Sequence, residues 1–275
     1  MPRTDQLDPD KIKANLRTKR IGRKILIYDS TSSTNDVAAE YARNRKNDGL
    51  VIFAEEQTAG RGRAGTKWHS GRADSILCSI IVMDYKQSPD LLSLTCAVAV
   101  AEAIGKPANC EAKIKWPNDI RLSKKKVAGI LLELKTDASS NGPRTQNNTF
   151  AKPSAYILGV GVNCHQKTES FPPELRNSAT SIDIETQTVC DRISLAKRLL
   201  ISMDHWLEVS ETNGRKVTDR WRELSILLGH RVTLVFNGKK FTGNCVGIDP
   251  EKGLVVQLDS GGVRMFDAVH TTAAK

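Results

Sequence analysis

The sequence predicts an α+β fold. A large domain of intermixed helices and strands covers residues 1–227, and a small all-β barrel covers 228–275. Three observations lead there. Short apolar blocks that read as strands are interleaved with segments whose apolar residues recur at helical spacing. The texture changes near Leu228-Gly229, after which short strands are separated by Asn-Gly, Asp-Pro-Glu-Lys-Gly and Asp-Ser-Gly-Gly turns. Finally, 275 residues with 39% hydrophobic and 26% charged content suffice to bury a sizeable core without staples.

The elements follow in order. Residues 1–20 form a short helical lead, with Asp8 as N-cap, Pro9 as the first helical residue, and Ile12 and Leu16 on one face. KILIYDS (24–30) is a strand. Val37, Ala38, Tyr41 and Ala42 predict a helix over 34–45. LVIFAEEQ (50–57) is a strand, and the glycine-rich, apolar-poor stretch 59–74 is a loop. SILCSIIVM (75–83) is a strand, LLSLTCAVAVAEAI (91–104) an apolar helix, CEAKIKWPNDI (110–120) a strand ending at Pro117, and KVAGILLELK (126–135) a further strand. The polar tract 136–154 reads as a mobile hairpin excursion. AYILGVGVNC (155–164) is a strand; helices are expected over 192–209, with Trp206 on the apolar side, and over 217–228.

Composition excludes several classes. No apolar run approaches the roughly 18 residues that span a bilayer, and the charged N-terminal stretch lacks the apolar core of a signal peptide. A cytoplasmic protein is expected, with no membrane partner. Cys78, Cys96, Cys110, Cys164, Cys190 and Cys245 are scattered without a CxxC pair, so neither a zinc site nor a disulfide framework is expected. The net charge of +10 suits nucleic acid, an acidic protein surface or a phosphorylated ligand.

Five segments carry chemistry. GRGRAG (60–65) places two arginines among glycines, a combination that brings backbone N–H groups and planar guanidinium forks to an oxyanion. No GK[ST] follows it, so it is not a P-loop; alone it would also suit an RG-type nucleic-acid segment. KIKWPNDI (113–120) puts Asn118 and Asp119 after a rigid Trp116-Pro117 step, where a carboxylate can meet Mg²⁺ or ribose hydroxyls; alone it reads first as an ordinary Pro-Asn-Asp turn. Lys126 opens a strand after two more lysines and can offset charge at a phosphate. STSSTND (30–36) groups hydroxyls and one amide, with Ser33 or Thr34 also suited to cap the next helix. GVGVN (159–163) brings backbone and Asn163 to a strand end, or simply packs strands closely.

Together, the segments 33–35, 55–68, 115–120, 126–133 and 159–163 resemble the catalytic domain of biotin–protein ligases, from about Ile21 to the C-terminus. GRGR and KWPND are the most specific parts. The resemblance implies a mixed β-sheet of the biotin/lipoate ligase type, similar to class II aminoacyl-tRNA synthetases, and an SH3-like C-terminal barrel. It implies an ATP-dependent ligase that forms biotinyl-5′-AMP and passes biotin to a lysine of a biotin carboxyl carrier protein, with Mg²⁺ accompanying ATP and no protein-held metal. Residue by residue, Ser33, Thr34, Asn35 and Gln57 match contacts to the ureido ring. Arg61, Gly62 and Arg63 match the loop that closes over the biotin carboxylate and the adenylate. Lys126 matches the lysine at the reacting carboxylate and α-phosphate, with Gly129 on the same strand. Trp68 and Trp116 resemble pocket walls, and Asn118, Asp119 and Asn163 resemble ATP or Mg²⁺ contacts. Lys126, Arg61, Arg63 and Asp119 are the catalytic set, Asp119 as the candidate base for the acceptor lysine.

Thr66 stands where the family often has arginine, and the 136–154 tract is longer than usual. With about 24 residues before the first strand, no winged helix and hence no DNA partner is expected. A monomer or a homodimer remains open. Rival readings are a lipoate ligase or octanoyltransferase, whose loop is of the Arg-Arg-x-Ser-Gly-Gly-Gly type, and a basic nucleic-acid module, which aromatics at 5% supply with few stacking platforms.

Overall fold

The computed structural model describes residues 5–108, 111–135 and 155–273, so Cys110 and the 136–154 tract lie outside the described residues. Seven strands form one sheet: β1 (Ile25–Tyr28), β2 (Val51–Ala54), β3 (Ser75–Met83), β4 (Lys113–Lys115), β5 (Asp119–Leu122), β6 (Lys125–Lys135) and β7 (Ala155–Asn163). Their order is β1-β2-β3-β7-β6-β5-β4. β1 and β2 are parallel and every other neighbouring pair is antiparallel, so the sheet is mixed as expected.

Strand β3 is buried along its whole length, and its side chains alternate between two layers. Ile76, Cys78, Ile80 and Val82 enter the main core with α3 (Pro89–Ala108), α5 (Arg192–Thr212) and α6 (Gly214–Leu224). Ile81 and Met83 join Ile52, Ala155 and Ile157 beneath Ala38 of α2 (Thr34–Tyr41) and its C-cap Ala42. α2 therefore covers only part of the second face. The rest, built from Leu77, Gly129, Leu131, Gly159 and Gly161, borders a cavity.

The N-terminal helix α1 (Pro9–Lys13) is capped by the Asp8 carboxylate, which accepts from the N–H groups of Asp10 and Lys11. A short helix α4 (Ile182–Thr186) precedes α5. The guanidinium of Arg192, fully buried at the start of α5, meets Glu55 at 2.6 Å and Asp5 at 3.0 Å. His165 lies between Asp5 and Asp183, at 2.7 and 2.8 Å. This network ties the N-terminal segment to the ends of β2 and β7. No helix among the described residues is long and apolar enough to cross a membrane, and the five described cysteines are free and buried.

Three expectations are corrected. The strand expected over 110–120 is a hairpin: β4 and β5 pair across a turn at 116–118, and the Trp116–Pro117 peptide is cis. The helix expected over 217–228 starts at Gly214 and ends at Leu224, because the following segment becomes extended and Ile226 donates to the Ile114 carbonyl beside β4. The strand expected over 50–57 stops at Ala54, and Glu55 turns inward to Arg192.

The C-terminal part is a five-stranded antiparallel sheet of β8 (Arg231–Phe236), β9 (Lys239–Asp249), β10 (Gly253–Leu258), β11 (Val263–Phe266) and β12 (Thr271–Ala273), in the order β11-β10-β9-β8-β12. Its topology agrees with an SH3-like unit; among the described residues no β11–β12 pairing closes it. β12 was not foreseen. Leu234, Cys245, Leu254 and Phe266 belong to the same continuous core as the large sheet's helices. At the seam, Asp90 accepts from the Ala268 N–H at 3.0 Å.

Candidate active site

The cavity on the open sheet face has a volume of about 480 Å³, and every site residue singled out from the sequence lines it. Its floor exists because three strand positions lack side chains. A Cβ at Gly161 would stand 2.6 Å from the Trp68 indole, one at Gly129 2.9 Å from the same ring, and one at Gly159 2.5 Å from the Asn35 amide. The GVG and AGI runs therefore leave a trough across which Trp68 lies. Gly161→Ala is expected to displace this ring and lower stability by about 1–3 kcal/mol; an unchanged urea midpoint would contradict that packing.

At one end of the trough, neutral polar groups converge. Ser33 caps α2 through the Asn35 N–H. Gln57 Oε1 accepts from the Thr34 N–H at 2.7 Å and from its hydroxyl at 2.9 Å. The buried Ser79 hydroxyl lies 2.7 Å from Thr34 Oγ1 and 2.5 Å from Asn35 Oδ1. Asn35 Nδ2 donates to Glu133 at 2.8 Å. This lattice fixes the donors and acceptors that a polar ring would meet.

Arg61 adjoins this lattice, held by Asp36 at 2.7 Å and by Glu133 at 3.1 Å, the carboxylate it shares with Asn35; these contacts push its pKa further above the ordinary arginine value. Towards the other end the charges are mainly positive. Lys126 meets Asp119 at 2.5 Å and lies 5.7 Å from the centre of the Trp68 ring. Lys115 and Arg121 also line this end. Arg63 behaves differently from its neighbour. Its guanidinium reaches the C-terminal sheet and donates to the carbonyls of Ala268 and Thr271, and burial pushes its pKa below the ordinary value.

Several expected roles change in detail. The Asn118 amide donates to the Ile130 carbonyl at 3.0 Å, clamping the hairpin turn onto β6. The Asn163 amide donates to Thr180 at 2.9 Å. Both asparagines line the cavity with these N–H groups already engaged by backbone. Trp116 is 2% exposed and mostly core. No group of three or more His, Cys, Asp or Glu side chains suited to a metal exists among the described residues. Asp119 is engaged by Lys126 at 2.5 Å. Ser79, Glu133, Lys115 and Arg121 escaped the sequence reading. Glu133, a charge inside the apolar run ILLEL, was the visible signal; Ser79 needed the facing of β3.

The site can thus take an elongated ligand with a hydrogen-bonding head, an apolar body and an anionic end. Residues 27–142 match the model of the biotin/lipoate A/B protein ligase family. The chain is 31% identical to the biotin–[acetyl-CoA-carboxylase] ligase of Mycobacterium tuberculosis, over 97% of this chain and 98% of the relative. It is 29% identical to the bifunctional ligase/repressor BirA of Bacillus subtilis, over 96% of this chain and 78% of the relative. The fold is similar to that of the biotin protein ligase from Aquifex aeolicus in complex with biotin and ATP, with a TM-score of 0.76, 24% identity, and coverage of 92% of this chain and 99% of that one. With a relative above 30% identity that matches almost end to end, this chain belongs to the biotin–protein ligase family.

Proposed function

We propose that the cavity binds biotin and ATP, forms biotinyl-5′-AMP, and transfers biotin to a lysine of a carrier domain. The observation that carries this reading is one continuous trough with the Thr34–Gln57–Ser79 lattice at one end and Lys126 at the other. A ureido ring offers two N–H donors and one carbonyl, suited to the lattice; the aliphatic chain suits the apolar Trp68 ring that lies on the glycine floor; the carboxylate suits the cationic end.

In the first step a biotin carboxylate oxygen bonds to the α-phosphorus of ATP, and the bond from that phosphorus to the bridging oxygen breaks to release pyrophosphate. Both reactants are anionic, so positioning and fixed positive charge carry the catalysis. Lys126 supplies that charge, oriented by Asp119, and Arg61 supplies it once its bonds to Glu133 and Asp36 are shared with ligand. In the second step the neutral ε-amine of the acceptor lysine bonds to the carbonyl carbon of the mixed anhydride and AMP leaves. A free lysine has a pKa of about 10.4, so the amine must lose a proton first. Asp119, at the same end of the cavity as Lys126, is the candidate to take it. A biotin carboxyl carrier domain is the acceptor in this reading, and the cytoplasm is where ATP and acceptor meet. Mg²⁺ enters as part of the nucleotide substrate.

Radiolabelled ATP and biotin should yield biotinyl-AMP in the presence of the chain, and excess lipoate should not compete. Adenylation of lipoate in preference would overturn the assignment. Arg63→Ala, which frees the glycine loop from the Ala268 and Thr271 carbonyls, should release biotinyl-AMP about tenfold faster, the scale of one charge-assisted hydrogen bond. Unchanged release in a chase with unlabelled substrate would show that this contact does not hold the loop.

A further inference from the structure

The cationic end carries more positive charge than adenylate chemistry at Lys126 requires. Lys115, Arg121 and Lys126 stand on the adjacent strands β4, β5 and β6, and all three line the cavity. Register places Arg121 opposite Lys126, and Lys115 opposite Asp119. Among the described residues lining the cavity, one carboxylate, Asp119, serves the three cations, and it is bound to Lys126 at 2.5 Å. Arg121 donates through one terminal nitrogen to the Lys124 carbonyl, while its Nε is buried without a hydrogen-bond partner. Burial, followed by the charge of Arg121, holds Lys115 below the ordinary lysine value. Like charges gathered in a half-buried wall repel one another unless a multivalent anion joins them.

Sheet order supplies the direction. The trough floor is on β7 and β6, Lys126 is on β6, and Arg121 and Lys115 follow outward on β5 and β4. Displacement at the α-phosphorus is in line, with nucleophile and leaving group on opposite sides. If the carboxylate enters from the trough and the α-phosphate sits at Lys126, the departing diphosphate lies over β5 and β4. We propose that Lys115 and Arg121 bind the β- and γ-phosphates of ATP and hold pyrophosphate as it leaves. This rests on the adenylation reading. The step is unchanged in its atoms: the two side chains accept no proton, and they offset the negative charge that builds on the bridging oxygen as its bond to the α-phosphorus breaks.

The test uses the full chain with Lys115→Ala, Arg121→Ala and Arg121→Lys. It measures the KM for inorganic pyrophosphate in biotin-dependent ATP–pyrophosphate exchange, and the rate of transfer from supplied biotinyl-AMP to an acceptor domain. Each alanine variant should raise the pyrophosphate KM about tenfold to a hundredfold, the range for a charge-assisted contact. Arg121→Lys should recover part of the loss. Transfer, which involves no pyrophosphate, should fall far less than exchange. An unchanged pyrophosphate KM, or equal losses in exchange and transfer, overturns the assignment. If an alanine variant fails to fold, Arg121→Gln and Lys115→Met keep the side-chain bulk and are read the same way. Absence of exchange in the wild type would instead refute the adenylation reading.

Discussion

Lys126→Ala should cut adenylation by about a hundredfold to a thousandfold, the usual consequence of removing a preorganised group that meets charge developing in the transition state. Two effects combine. The ammonium that would face the carboxylate and the α-phosphate is lost, and Asp119 loses its partner at 2.5 Å, which makes its end of the cavity more negative where two anions must approach. The second effect is separable. Asp119→Asn placed on Lys126→Ala should recover part of the rate, although Asp119→Asn in the wild type should lower it. The fold should persist, because the Lys126 side chain is about one-third exposed and its ion pair contributes little to stability. Wild-type turnover by Lys126→Ala, in a variant with an unaltered melting profile, would remove Lys126 from the chemistry.

The largest effect on stability is expected away from the cavity. Arg192 is fully buried and bridges Glu55 and Asp5. Arg192→Leu would leave Glu55, itself 3% exposed, as an uncompensated buried carboxylate. Breaking a buried pair in this way costs about 3–5 kcal/mol. Thermal or urea unfolding would check it, and a loss below about 1 kcal/mol would show that the network relaxes freely. The same network has a pH signature. Burial alone would raise the Asp5 pKa, but hydrogen bonds and charge from His165 and Arg192 outweigh it and hold Asp5 below 3.8. Its contribution to stability is therefore complete above that value and lost as pH falls through the depressed folded pKa. Asp5→Asn should accordingly flatten the acid limb of the stability curve.

Local pattern made much of the molecule legible. Alternation and apolar runs located β3, β6 and β7, and the Asn-Gly and Gly-Gly turns located the second sheet. The site was legible because its residues sit at strand ends and in loops, where hydroxyls, arginines and glycines have few other local reasons to cluster. Non-local pairing was hidden. Residues 110–120 read as one strand because nothing local shows that β5 folds back on β4. Apolar Ile226, Leu227 and Leu228 continued a helical pattern, yet they form bends and a turn after the extended Ser225, with Ile226 donating to the Ile114 carbonyl. Arg63 and Arg61 look alike in GRGRAG, but one reaches backbone carbonyls of a sheet two hundred positions later and the other pairs with Glu133. Ser79 and Glu133 became visible as site residues only when strand register showed which face they share with Gly159 and Gly161.

The central claim is that one cavity activates biotin with ATP. Biotin-dependent exchange of labelled pyrophosphate into ATP tests it most directly, since only reversible formation of an adenylate gives that signal. The chain should exchange label when biotin is present and show no more than background without it, and Lys126→Ala should cut the difference about a hundredfold or more. Exchange that is independent of biotin, or absent when biotin is saturating, would contradict it.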